Sequence, residues 1–103
     1  MIDLKFISGN IAHDDFSSLE NKDVKYQIDS LKEDLLQVEY PASLLLDAGW
    51  YPSCSAAGFF QIRVIENYNW DAPLYSSTSK TIPSLITELS LAQTVINNHQ
   101  KAY

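Results

Sequence analysis

The sequence predicts an α+β fold: an antiparallel sheet of about four to five strands with a C-terminal amphipathic helix packed on one face, and a second, shorter helix. Three observations predict it. Between residues 36 and 65 apolar and polar residues alternate in successive short runs, which is the period of half-buried strands. The first two of these runs are joined by only three residues, which favours antiparallel neighbours. From Ile82 to Ile96 the period becomes that of a helix, so one long apolar stripe needs cover, and the sheet is the available partner.

Taken in order, Ile2, Leu4 and Phe6 alternate with Asp3 and Lys5, which predicts a first strand over Met1 to Ile7, broken at Gly9-Asn10. Residues 8–22 read as a loop, with Ser17 and Glu20 at the spacing of a capping box and so of a short helical turn. Val24, Ile28, Leu31 and Leu35 stripe one helical face with Asp23 as cap, although Val24, Tyr26 and Ile28 also alternate as a strand would. The good helix formers from Ser30 to Leu35 favour the helix. Leu36, Val38 and Tyr40 mark one strand, Pro41-Ala42-Ser43 a turn, and Leu44, Leu46, Ala48 and Trp50 the next. After a loop of small residues from Pro52 to Gly58, Phe60, Ile62 and Val64 mark another strand, and Leu74 to Thr78 a short edge strand. Thr81 caps the final helix, Pro83 is tolerated in its first turn, and Ile82, Leu85, Ile86, Leu89, Ala92, Val95 and Ile96 form its apolar face.

Composition narrows the function. With 103 residues, residues 1–103 form one domain; 46 % hydrophobic and 19 % charged residues exclude a disordered chain. Thirteen acids against seven lysines and arginines give a net charge of −6, which disfavours nucleic acid and anionic membranes as partners and favours a basic protein. The single cysteine, Cys54, allows no internal disulfide. The opening segment mixes acid and base within its short apolar stretch, unlike a signal peptide, and no run is long enough to span a membrane. A cytoplasmic location is expected.

Candidate chemistry is sparse. His13-Asp14-Asp15 sets an imidazole beside two carboxylates without a second ligand at metal spacing. His99 falls in the last helical turns, where a cation suits the dipole. Cys54 has no basic neighbour, and Gly9, Gly49 and Gly58 are too scattered for a phosphate loop. The reading is a non-enzyme without cofactor or metal. Its unusual feature is a set of aromatic and acidic residues around the central strands: Glu39, Tyr40, Asp47, Trp50, Tyr51, Phe59, Glu66, Tyr68, Trp70 and Asp71. Trp50 and Tyr40 fall on the apolar rows and read as core. Asp47, Tyr51, Phe59, Gln61 and Arg63 have the opposite phase and form a second face of mixed character, as binding surfaces do.

The runs Leu46-Asp47-Ala48-Gly49-Trp50-Tyr51-Pro52, Gly58-Phe59-Phe60-Gln61-Ile62-Arg63-Val64-Ile65 and Asn69-Trp70-Asp71-Ala72-Pro73-Leu74 resemble small bacterial immunity proteins of contact-dependent growth inhibition and polymorphic-toxin systems, in particular those guarding against ribonuclease-like toxins. The resemblance covers residues 44–74. It implies a cytoplasmic monomer that binds the C-terminal domain of a cognate toxin one to one and blocks its active site. Carboxylates that mimic phosphates suit the basic cleft of a nuclease. Charge and strand phase, rather than a family motif, nominate Asp47, Tyr51, Glu66, Trp70 and Asp71 as toxin contacts, with Asp14 and Asp15 as a second acidic patch. The competing expectation is a small enzyme or accessory domain holding an apolar ligand between helix and sheet, with Cys54 or His13 at its mouth. A third is a scaffold that self-associates through the edge strand at Leu74 to Thr78.

Overall fold

The computed structural model describes residues 2–101. Five strands, β1 (Asn10–Asp14), β2 (Leu36–Tyr40), β3 (Leu44–Tyr51), β4 (Phe59–Glu66) and β5 (Tyr75–Ser79), form one antiparallel sheet in chain order, and the helix α1 (Ile82–Lys101) follows. This is the expected α+β architecture of sheet and C-terminal helix.

Alternation decides which side of the sheet is covered. Leu36, Val38 and Tyr40 of β2, Leu44, Leu46, Ala48 and Trp50 of β3 and Phe60, Ile62 and Val64 of β4 are all buried and share one face. Against them α1 lays Ile82, Leu85, Leu89, Ala92 and Ile96, also buried. Trp50 and Phe60 meet edge to face, with ring centroids 4.8 Å apart, and Trp50 Nε1 donates to the Ser55 carbonyl at 2.9 Å, which satisfies the one polar atom of a buried indole. Thr81 caps α1 as expected: its Oγ1 accepts from the Ser84 N–H at 3.2 Å. The connection from β2 to β3 turns through Ala42 and Ser43 with φ of 68° and 59°, and the chain leaving β4 turns through Asn67 and Tyr68 with φ of 54° and 58°.

The N-terminal part differs from expectation. Residues 2–9 form no strand, and Met1 lies outside the described residues; β1 begins instead at Asn10. Ile2 is nonetheless buried, and Leu4, Phe6 and Ile7 line the core beside the sheet. The main chain of this segment finds partners other than a strand: Gln93 of α1 accepts from the Ser8 N–H at 2.7 Å and donates to the Phe6 carbonyl at 2.7 Å, while the Ile2 N–H reaches the Ser17 carbonyl. The capping box at Ser17 and Glu20 does not form, because the Ser17 N–H and hydroxyl both turn back to the Asp14 carboxylate.

The second helix is absent. Residues 23–34 hold two single 3-10 turns, Val24–Tyr26 and Ile28–Ser30. Two competing demands explain this. The Gln27 side chain bonds the Glu20 N–H and carbonyl, both at 2.9 Å, and the Leu31 and Lys32 carbonyls are taken by the N–H groups of Cys54 at 2.7 Å and Trp50 at 2.8 Å. These carbonyls are committed to β3 and the loop after it rather than to helical turns. The apolar stripe still reaches the core, with Leu31 and Leu35 fully buried.

Candidate protein-binding surface

The second phase of the strands produces a face that α1 does not cover. Direct pairing sets one polar row across all five strands: His13 beside Gln37, Gln37 beside Asp47, Asp47 beside Arg63, and Arg63 beside Ser76. Tyr51 and Phe59 are paired at one end of this face, and Leu45 and Ile65 at the other. Ile65 is fully buried yet stands apart from the core cluster, so this side has packing of its own.

Arg63 is the centre. Its Nη2 donates to Tyr51 Oη at 3.1 Å and lies 3.4 Å from Asp47 Oδ2, and its guanidinium stands 5.7 Å from the Tyr51 ring and 5.2 Å from the Trp70 ring. The loop after β4 therefore folds back over the sheet and sets Trp70 on the arginine. Asp47 Oδ1 takes a further bond from Gln37 Nε2 at 3.2 Å. Burial raises the Asp47 carboxyl above its ordinary 3.8, against the lowering effects of Gln37 and Arg63. Burial first, and the Asp47 carboxylate next, raise the Tyr51 phenol above 10, so it stays neutral.

Glu33 and Asp34 approach the same place. A methyl group on Gly49 would run into the Glu33 carbonyl, so the bare glycine is what lets the segment before β2 cross the sheet here. The exposed carboxylates of Glu33 and Asp34 consequently rim the face next to Asp15. His13 Nε2 is 3.2 Å from Asp15 Oδ2 and 3.1 Å from the Asp34 carbonyl oxygen.

The nominated residues divide. Asp47, Tyr51 and Trp70 converge around Arg63. Asp47 is correctly placed on the second face but only 2 % exposed, so its carboxylate serves Arg63 and Gln37 rather than solvent. Trp70 remains 39 % exposed, and Asp71 beside it is exposed. Glu66 is on the opposite side: it shares the parity of Phe60, Ile62 and Val64 and meets His99 of α1, Nε2 to Oε2 at 2.8 Å. That parity, readable in the sequence, sets this nominated contact apart from the group around Arg63 and gives His99 a side-chain partner besides the helix dipole. Asp14 caps the turn at Ser17, while Asp15 lies on the rim.

Tyr68 had no place among the nominated contacts. It is 75 % exposed with a left-handed backbone that suits glycine or asparagine better than a bulky aromatic, at the tip of the loop that carries Trp70 and Asp71. Its aromatic ring puts it in the wider set around the central strands, and only the turn conformation singles it out.

Between helix and sheet lie fully buried side chains, among them Leu46, Ile62, Leu85 and Leu89. Cys54 and His13 do line one open surface cleft with Asp15, Lys32, Glu33, Asp34 and Ser53. Among the described residues no three potential ligands are placed to hold a metal ion, and no helix is long and apolar enough to cross a membrane. No protein-family model, curated protein or solved structure matches this chain.

Proposed function

We propose that this chain is an immunity protein: a cytoplasmic, non-enzymatic monomer that binds the C-terminal domain of a cognate toxin one to one and blocks its active site. The toxin is a basic protein of the nuclease type. The observation that carries the reading is the sheet face opposite α1, where Tyr51 and Trp70 stand over a locked arginine, Phe59 is exposed beside Tyr51, and exposed carboxylates lie at the rim. Rigid aromatic anchors supply contact area at low entropy cost, and the acidic rim of Asp15, Glu33, Asp34 and Asp71 steers a cationic partner onto them. Asp47 acts from beneath, by holding Arg63 and through it Tyr51.

The test is complex formation with the terminal domain of the large toxin encoded directly upstream. Expected are a 1:1 complex of nanomolar dissociation constant, rescue of growth on co-expression, and at least about tenfold weaker binding by Trp70→Ala, in line with aromatic hot spots. Asp71→Lys weakens protection without unfolding the chain. Leu91→Ser, at an exposed position on the outer side of α1, leaves both unchanged. Absence of a complex, or sensitivity to Leu91→Ser with indifference to Trp70→Ala, overturns the proposal.

A further inference from the structure

The two edges of the sheet are not equivalent. β1 is interrupted by a bulge between Ile11 and His13, and Asp14 and Asp15 close it, both devices that discourage further pairing. The five residues of β5, Tyr75-Ser76-Ser77-Thr78-Ser79, contain no charge and no proline, and their register with β4 is unbroken. Successive residues of a strand send their N–H and C=O groups to opposite sides. The Val64 carbonyl accepts from the Leu74 N–H at 2.8 Å, so Val64 faces β5 and its partner Tyr75 faces back. Tyr75, Ser77 and Ser79 thus serve the ladder with β4, and Ser76 and Thr78 direct their main-chain groups away from the sheet. No hydrogen bond among the described residues caps those groups, and both residues are exposed.

We infer that the free edge of β5 accepts an added strand from the cationic partner, whose extended segment pairs with the outward groups of Ser76 and Thr78. The inference rests on the reading of this chain as the binder of a basic protein. Charge selects the occupant. Asp71 lies ahead of the strand with three residues between, Lys80 follows it directly, and Glu88 of α1 accepts from the Tyr75 hydroxyl at 2.8 Å, so two carboxylates against one lysine, on a chain of net charge −6, favour lysines or arginines in the incoming strand. A second copy of the chain would bring its own charge of −6 to the same edge. Because the Ser76 and Thr78 side chains share the open face with Arg63 and Gln61, one partner can engage face and edge together.

The edge is tested by amide hydrogen exchange with a synthetic ten-residue peptide alternating lysine with valine, and a counterpart alternating aspartate with valine. In the free chain Ser76 and Thr78 exchange faster than Tyr75, Ser77 and Ser79. The lysine peptide slows Ser76 and Thr78 at least tenfold and the aspartate peptide does not. Thr78→Pro, which removes an outward N–H and no ladder bond, abolishes the protection while the thermal transition of the chain is retained. Peptide binding without protection at these two amides, or protection that survives Thr78→Pro, overturns the inference, as does a concentration-dependent dimer that protects both amides without peptide. Toxin domain bound with undiminished affinity by Thr78→Pro rejects the edge and leaves the proposed function standing. Peptide protection together with no toxin complex rejects the function and leaves the edge.

Discussion

At Asp47 a carboxyl group is held almost out of water beside an arginine, and the sign of the resulting pH dependence follows from its raised value. A folded-state value above the ordinary 3.8 means that the folded chain holds this proton more tightly than the unfolded chain, so the contribution to stability falls as pH rises from 3.8 through the raised value. Asp47→Asn removes that loss. Urea unfolding at successive pH values is expected to show the variant gaining on the parent protein across this window, whatever the offset between them; a difference independent of pH would show that the carboxyl is not desolvated. Tyr68 presents the opposite trade. Tyr68→Gly relieves a left-handed backbone at an exposed position and is expected to raise stability by about 0.5 kcal/mol, offset in part by the entropy of glycine, while weakening capture of the toxin domain. Calorimetric unfolding and binding titration of the same sample check both. Strand phase was enough to put Asp47, Tyr51 and Arg63 on one face. It did not show that Asp47 is sealed, because strand phase fixes which face a residue takes and not what else packs on that face.

Elements with an intrinsic period were legible and those held by borrowed partners were not. β2, β3, β4 and α1 each carry their own alternation or stripe, while β5, Tyr75-Ser76-Ser77-Thr78-Ser79, carries none and takes its place by pairing with β4. Residues 2–9 and 23–34 carry apolar spacing too, and their apolar residues do reach the core, but their main-chain partners are Gln93, Gln27, Trp50 and Cys54, which no local pattern reveals. Two substitutions separate these cases. Leu89→Ala opens space between α1 and the sheet, where Leu89 is fully buried, and is expected to cost about 2–5 kcal/mol. Gly49→Ala forces the Glu33 crossing away from β3 and is expected to cost about 1–3 kcal/mol. Denaturant titration measures both. Indifference to Leu89→Ala would mean that α1 is not docked, and indifference to Gly49→Ala that the crossing is loose.

For the molecule as a whole the −6 charge bears on how fast a partner arrives. Association with a basic toxin domain is expected to slow by about tenfold or more between roughly 10 mM and 0.5 M salt, with a much smaller change in dissociation. Stopped-flow mixing measures this, and salt-independent association would remove the steering role assigned to the acidic rim. The chain from Asn67 to Leu74 contributes no side chain to the core cluster, whereas the sheet and α1 contribute fifteen of its twenty buried residues. On the proposed function, the loop that carries Tyr68, Trp70 and Asp71 can therefore change to follow a changing toxin while the core beneath it stays as it is.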